Sequence, residues 1–180
     1  MTNDVPVIVI TGNMGSGKTT ILAEASDLLT AAGIVHAAID LDMLGIGHLR
    51  EEAWPDVPYR NLSCVWQNYA NAGASRLLIA EALESSRELS RIQEAVPGAA
   101  IVVCRLDAKL ETLRRRVAQR EIGALRDTFV ARVDQLQVLI DRAQLEQFTL
   151  PTDDGTSVTN IAREMLHRAD WLPPHAKSRK

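Results

Sequence analysis

The chain has 180 residues, of which 46% are hydrophobic and 24% are charged, and its formal net charge is −3. This length is enough for one domain with a sizeable core, and the slightly acidic balance gives no general reason to expect nucleic-acid binding. The chain has no apolar run of the roughly eighteen residues that a membrane helix needs, so we expect no membrane span.

Strand and helix patterns alternate along the chain. Short, continuous apolar runs predict five strands, at residues 5–11, 35–39, 77–80, 99–104 and 147–150. Apolar residues at helical spacing predict helices at residues 17–32, 86–96 and 125–140, one after Asp107 as its N-cap, and one from residue 158. Strands separated by helices form βαβ units, so we expect an α/β fold with a parallel sheet covered on both faces.

One domain is expected over residues 1–172, followed by a basic tail at 173–180 that we expect to be disordered. The N-terminus lacks the basic and then apolar segments of a secretory signal. Cys64 and Cys104 have no metal-ligand spacing and lie in apolar surroundings, which predicts buried, reduced thiols. These features favour a cytoplasmic protein.

The stretch GNMGSGKT at residues 12–19 fits the pattern G-x-x-x-x-G-K-[ST], between a predicted strand and a predicted helix. In such a P-loop, glycines let backbone N–H groups approach phosphate oxygens, and the helix N-terminus favours the same anion. The lysine reaches the β- and γ-phosphates and the threonine hydroxyl can ligate Mg²⁺. The predicted nucleotide-binding residues are Gly12, Asn13, Met14, Gly15, Ser16, Gly17, Lys18, Thr19 and Thr20.

Asp40 and Asp42 follow the second predicted strand. In an open α/β sheet the carboxyl ends of the strands border the ligand, so both residues should lie near the P-loop. A carboxylate there can hold Mg²⁺, or it can accept the proton of an attacking hydroxyl.

Positive charge is concentrated in an arginine block on the helix after the fourth strand. The block comprises Arg114, Arg115 and Arg116, with Arg120 and Arg126 beyond. Arg116 and Arg120 share a helical face. Because arginine matches the charge that develops in phosphoryl transfer, we expect at least one of these side chains to reach the phosphates.

Residues 43–73 form the least regular region and contain both tyrosines and two of the three tryptophans. The region is expected to be a helical cap with a small core of its own. Aromatic residues beside polar groups are also what a small-molecule pocket needs. Arg50 and Trp66 are therefore candidate substrate contacts.

With these motifs in place, the chain resembles the small-molecule P-loop kinases, a group that includes gluconate kinase, shikimate kinase, adenylylsulfate kinase and chloramphenicol phosphotransferase. Besides the P-loop, four stretches carry the resemblance: DLDMLG, LLIAEALESSRELSRI, VVCRLDAKLETLRRRVAQRE and FTLPTDDGTSVTNIAREML. It implies a five-stranded parallel sheet in the order 2-3-1-4-5, a substrate-binding cap at about 43–73 and a mobile lid at about 114–128.

The resemblance also implies roles for single residues. Lys18 and the lid residues Arg116 and Arg120 would be catalytic, with Arg116 also contacting ATP. Asp40 would be the base or, with Thr19, the Mg²⁺ partner, and Asp42 would contact substrate hydroxyls. Thr152 and Asp153 would lie near the adenine. ATP and Mg²⁺ are the implied cofactors, and a small-molecule alcohol is the implied acceptor.

The chain departs from each family member that it resembles. Glu81 stands where gluconate kinases have a small, serine-containing strand end, and Glu121-Ile122-Gly123 replaces their lid signature. Because it follows the third strand, Glu81 is a candidate contact for a substrate amine or hydroxyl. A nucleoside monophosphate kinase, with Arg50 and Arg60 on the acceptor phosphate, and a regulatory ATPase are the alternatives. The oligomeric state, monomer or homodimer, stays open.

Overall fold

The computed structural model describes residues 4–47 and 54–172, so Arg50 and the tail at 173–180 lie outside the described residues. Within them, five strands form one sheet in which every pair is parallel. The strands are β1 (Val5–Gly12), β2 (Ala37–Asp40), β3 (Leu77–Ala80), β4 (Ala99–Asp107) and β5 (Phe148–Pro151). Their order, β2-β3-β1-β4-β5, confirms the predicted α/β class and sheet topology.

Helices connect the strands in chain order. They are α1 (Lys18–Ala31), α2 (Leu41–Leu44), α3 (Val57–Asn71), α4 (Ser86–Ala95), α5 (Leu110–Arg120), α6 (Arg126–Ala143) and α7 (Val158–Arg168). A 3₁₀ turn at Trp54–Asp56 precedes α3, and a capping box between Ser85 and Glu88 begins α4. In the described ranges, no helix combines the length and the apolarity that crossing a bilayer requires.

The central strand β1 is apolar throughout because both of its faces are covered. Ile8 and Ile10 pack in a cluster with α1 and α7, whereas Val7 and Val9 pack in a second cluster with α3 and α4. All four side chains are at most 1% exposed. Burial on both faces explains why the sequence shows a continuous apolar run instead of an alternating one.

Three local expectations are wrong. Asp107 is the last residue of β4 and not an N-cap, because its carbonyl accepts a 2.7 Å hydrogen bond from Thr152 N, and Lys109 caps α5 instead. In the described part of the cap, Leu62 and Trp66 of α3 pack into the cluster that contains Val7 and not into a core of their own. Cys64 is exposed; only Cys104 is buried.

The parallel sheet brings the ends of its strands to one edge. The P-loop leaves the end of β1, Asp40 ends β2, Glu81 follows β3, and Thr152 follows β5. Glu81 N donates to Ile10 O at 3.1 Å, and Leu83 N donates to Thr11 Oγ1 at 2.9 Å, so the segment after β3 is fixed against β1. This edge is where an open parallel sheet binds its ligands.

Candidate active site

The P-loop has the backbone of an anion-binding turn. Gly12 and Gly15 have φ values of +144° and +78°, which L side chains rarely adopt. A Cβ at Gly12 would overlap the Leu106 carbonyl oxygen, and one at Gly15 would lie 3.0 Å from Leu113 O. The buried Ser16 Oγ has no hydrogen-bond partner among the described residues. A backbone that packs this closely, with an unpaired hydroxyl at the start of α1, fits a bound phosphate.

Lys18 lies inside this turn. Its Nζ donates to Gly12 O at 3.0 Å and to Asn13 O at 3.4 Å, which holds the ammonium beside the loop. Burial lowers the pKa of Lys18, and the charges of Asp42, Glu81 and Asp40 act in the opposite direction. A triphosphate would supply the negatively charged partner that the Lys18 ammonium needs when it is removed from water.

Asp40 joins the P-loop helix to the end of β2. Its Oδ2 accepts a 2.6 Å hydrogen bond from Thr19 Oγ1, and its Oδ1 accepts from Asp42 N at 3.2 Å, where Asp40 is the N-cap of α2. The described residues contain no group of three or more His, Cys, Asp or Glu that would hold a metal by itself. One hydroxyl and one carboxylate beside a phosphate site fit Mg²⁺, which takes few protein ligands and completes its shell with phosphates and water.

A cavity of about 400 Å³, called the nucleotide cavity here, runs from the P-loop to the segment after β5. The residues predicted to bind the nucleotide line it from Asn13 to Thr20, together with Arg116, Arg120, Thr152 and Asp153. Sequence reasoning missed its far end, where Asp154, Gly155, Thr156, Val158 and Ile161 contribute. The turn DDGT at 153–156, two residues beyond a predicted strand, could have indicated them, because that strand ends at the binding edge.

Arg116 spans the nucleotide cavity. Its guanidinium donates to Gly15 O at 3.2 Å, to Thr152 O at 2.7 Å and to Asp154 Oδ1 at 3.2 Å. This side chain therefore connects the P-loop with the segment after β5. Arg120 lies on the same face of α5 and pairs with Glu121 at 2.8 Å.

The other arginines of α5 have partners away from the P-loop. Arg114 pairs with Asp134 of α6 at 2.6 Å, and Arg115 pairs with Asp154. Helical register thus separates Arg116 and Arg120, which line the nucleotide cavity, from their neighbours in sequence. The lining places both predicted lid arginines at the cavity.

A second cavity of about 370 Å³, called the acidic cavity here, lies beside the first. Its lining comprises Leu41, Asp42, Gly45, Pro55, Pro58, Tyr59, Glu81, Ala82, Glu84, Glu88 and Arg91. Asp42 lines both cavities. Sequence reasoning found Asp42 and Glu81, placed Tyr59 in the aromatic-rich segment without choosing it as a substrate contact, gave Arg91 no role at a site, and missed Glu84 and Glu88. The spacing of glutamates at 81, 84 and 88 after a strand was the available signal.

Glu81 is the most perturbed acid of this region. Burial, and next the charge of Asp42, raise the pKa of Glu81 to about 8, although Lys18 acts in the opposite direction. Burial and the charges of Glu81 and Glu88 also raise the pKa of Tyr59. Strongly shifted acids in a cleft are typical of functional sites.

Trp66 does not fit its expected role as a substrate contact. Its side chain is 5% exposed and packs in the core with Leu62 and Ile79. The residue belongs to neither cavity lining as described. The aromatic ring that does line the acidic cavity is Tyr59, the third residue of α3.

No protein-family model matches the sequence, and no curated protein matches it. Solved structures do match. A sugar kinase from a Janibacter species is 20% identical, with a TM-score of 0.63 over 94% of this chain and 96% of that one. The APS kinase of Mycobacterium tuberculosis, in complex with AMPPNP and APS, is 18% identical, with a TM-score of 0.64 over 93% and 98%. The fold is that of the small-molecule P-loop kinases.

A third match is the shikimate kinase of Acinetobacter baumannii in complex with shikimate. It is 18% identical, with a TM-score of 0.53 over 92% of this chain and 93% of that one. The match thus extends over most of both chains. These likenesses confirm, at the level of the fold, the resemblance that the sequence motifs indicated.

Proposed function

We propose that the protein is an ATP-dependent kinase that transfers the γ-phosphoryl group to a hydroxyl of a small molecule. The observation that carries the proposal is the position of Asp42, which lines both the nucleotide cavity and the acidic cavity. Two adjoining cavities with one shared carboxylate are what a transfer between two bound substrates needs. The kinases with the same fold support this reaction class.

The side chains of this chain divide the work as follows. Lys18 and the P-loop N–H groups hold the β- and γ-phosphates, and Arg116 fixes the nucleotide between Gly15 and Thr152. Asp42 accepts the proton of the acceptor hydroxyl, since it faces the acidic cavity. Arg120, which lines the nucleotide cavity with a side chain that is 61% exposed, is the candidate for contacting the transferred group.

Asp40 and Thr19 are the proposed partners of Mg²⁺. When bound, Mg²⁺–ATP supplies the phosphoryl group, and the Mg²⁺ ion neutralises part of the negative charge of the phosphates. Because Asp40 already accepts from Thr19 Oγ1 and Asp42 N, its geometry favours the metal role over the role of base. Asp42 then takes the role of base that the sequence left open between the two aspartates.

The lining of the acidic cavity makes a phosphate-bearing acceptor unfavourable. Among the described residues it contains four carboxylates and one arginine, and that arginine, Arg91, pairs with Asp56 at 2.6 Å. Arg60 lines a different cavity, with Asp56 and Glu94. These positions weigh against the nucleoside monophosphate kinase alternative. The two cysteines are free, which is compatible with the proposed cytoplasmic location.

The test is ATP consumption with Mg²⁺ across a panel of hydroxyl compounds: neutral sugars, sugar acids, amino sugars, nucleosides and nucleoside monophosphates. The product is identified by the mass gain of one phosphoryl group. Phosphorylation of any alcohol without a phosphate supports the proposal. Efficient phosphorylation of monophosphates alone, or ATP hydrolysis that no compound changes, contradicts it.

A further inference from the structure

The inference concerns the chemical class of the acceptor and rests on the kinase function proposed above. The acidic cavity is large enough for a ligand of about monosaccharide size, since small-molecule sites begin at roughly 300 Å³. Its walls come from four separate segments: α2, the start of α3 with the turn before it, the segment after β3, and α4. It is therefore a built concavity and not a patch on one helix.

The carboxylates around this cavity differ in how they are already engaged. Glu84 accepts both of its hydrogen bonds from Arg132 of α6, at 2.6 and 2.7 Å. Glu88 Oε2 accepts from Ser85 N at 2.7 Å and from Ser85 Oγ at 2.8 Å, within the capping box of α4. Glu84 is thus paired with a cation, whereas both hydrogen-bond donors to Glu88 are uncharged.

Arg91 is the cation in the lining, and it is committed elsewhere. Its guanidinium donates to Asp56 Oδ1 at 2.6 Å and to Pro55 O at 2.7 Å, and it stacks on the Tyr59 ring at 5.3 Å from the ring centre. In the described part of the chain, no arginine or lysine forms a salt bridge with Asp42, Glu81 or Glu88. The described walls of the cavity therefore supply no cation that pairs with Asp42, Glu81 or Glu88.

From this geometry we infer that the acceptor carries a protonated amine beside its reactive hydroxyl, and that Glu81 and Glu88 receive the amine while Asp42 receives the hydroxyl. A protonated amine would compensate Glu81 once this carboxyl ionises beside Asp42, whereas a neutral ligand supplies no such compensation and an anion adds to the negative charge. The high pKa of Glu81, caused by its burial and by Asp42, is the expected consequence of a site that lacks its cation. Lys18 carries a positive charge that favours the ionised form of Glu81, but its Nζ is bonded into the P-loop.

The test measures binding separately from turnover. Isotope-labelled protein, with Mg²⁺ and a non-hydrolysable ATP analogue, is titrated with glucosamine, galactosamine and ethanolamine, each beside its N-acetylated form, and with gluconate. Shifts of the backbone amides in residues 81–91 report the acidic cavity. The expected result is that at least one amine binds about tenfold or more tightly than its N-acetylated form. Equal or tighter binding of the neutral form or of gluconate overturns the inference, as does a lack of binding by every amine.

Two variants make the result specific. Glu81→Gln keeps the shape and removes the charge, so it should weaken binding of the amine about tenfold while leaving the N-acetylated form unchanged. Glu94→Gln is the matched control, because Glu94 is exposed on α4 and lines a different cavity. If Glu94→Gln weakens binding of the amine as much as Glu81→Gln does, the effect comes from the net charge of the protein and not from the acidic cavity, and the inference is overturned.

Phosphorylation of the same compounds, followed by mass, decides the proposed function independently. An amine that binds in the acidic cavity but is never phosphorylated leaves the recognition inference intact and contradicts the kinase proposal. Phosphorylation of neutral or acidic acceptors, with no preference for the matched amine, supports the kinase proposal and overturns the inference.

Discussion

The hydroxyl of Thr19 donates a 2.6 Å hydrogen bond to Oδ2 of Asp40 and thereby joins the first turn of α1 to the end of β2. The two residues lie on different connections of the sheet and meet because parallel strands end at one edge. An oxygen pair so close to the phosphate loop is the proposed Mg²⁺ partner.

Asp40→Asn should therefore lower turnover about 10²-fold or more, because it removes the negative charge that holds the metal. Asparagine can still accept from Asp42 N, so the N-cap of α2 should survive. The measurement is the rate of phosphoryl transfer against Mg²⁺ concentration, with nucleotide affinity determined without metal. Affinity should stay near that of the wild type. An unchanged rate at low Mg²⁺ would exclude Asp40 as the metal partner.

Asp42→Asn should lower kcat about 10²- to 10⁴-fold, the range expected for loss of a general base. The KM for ATP should change little, because the phosphates are held by the P-loop and Lys18. Steady-state kinetics with a phosphorylated acceptor identified by mass makes the comparison. If Asp40→Asn impairs kcat at saturating Mg²⁺ while Asp42→Asn does not, the two aspartates have the reverse roles.

Arg116→Lys should raise the KM for ATP about tenfold. A single ammonium cannot bond at the same time to Gly15 O and Thr152 O, as the guanidinium does. Arg114→Lys is the control, since Arg114 pairs with Asp134 outside the nucleotide cavity. Equal KM values for both variants would show that Arg116 does not position the nucleotide.

Glu81→Gln should stabilise the ligand-free protein, and more so as the pH rises. Below the ordinary pKa of 4.5 the carboxyl is protonated in the folded and the unfolded chain, so it has no effect. Between pH 4.5 and about 8 only the unfolded chain ionises, which progressively favours unfolding. At pH 8 the free energy of unfolding of the variant should exceed that of the wild type by on the order of 2 kcal/mol, a figure reduced for the water that enters the cavity.

Urea unfolding of the wild type and Glu81→Gln between pH 5 and pH 8 measures this gain. Glu94→Gln should show no such trend, because Glu94 is exposed. If the free energies of unfolding of the wild type and Glu81→Gln change with pH in parallel, Glu81 ionises in the folded protein as it does in the unfolded chain.

Gly12→Ala should destabilise the fold by about 3 kcal/mol or more, because the new Cβ would overlap the Leu106 carbonyl oxygen in addition to straining the backbone. Gly33→Ala is the matched control: Gly33 also has a positive φ, +70°, but nothing lies within 4 Å of the added Cβ. Gly33→Ala should lower the free energy of unfolding by about 1 kcal/mol. Similar urea midpoints for the two variants would contradict the close packing of the P-loop.

The sequence predicted the sheet and the phosphate loop because both depend on local patterns. Apolar runs of strand length located β1 and β3, and the glycines with Lys18 and Thr19 located the turn. What failed depends on contacts between distant segments. Asp107 continues a strand because Thr152, in another part of the chain, bonds to it, and Trp66 is buried by a sheet that its own segment does not reveal.

The acidic cavity shows the same division. Glu81 was found because it directly follows a strand, and strand ends mark the binding edge. Glu84 and Glu88 were missed, since a charged residue near a helix start is usually a solvated cap. Glu84 and Glu88 line a cavity only because distant helices pack beside them: α3 contributes Tyr59 to the lining, and Arg132 of α6 donates to Glu84.

The Asn13 side chain gives the P-loop a tie to α6. Its Nδ2 donates to Val133 O at 2.9 Å and to Gln137 Oε1 at 2.8 Å, while Arg116 of the preceding helix reaches Gly15 O. Both helices of the α5–α6 hairpin thus form hydrogen bonds with nearby residues of the P-loop. The geometry of the phosphate-binding turn is therefore linked to the position of the hairpin, and a substitution at Asn13 or Arg116 removes part of that link.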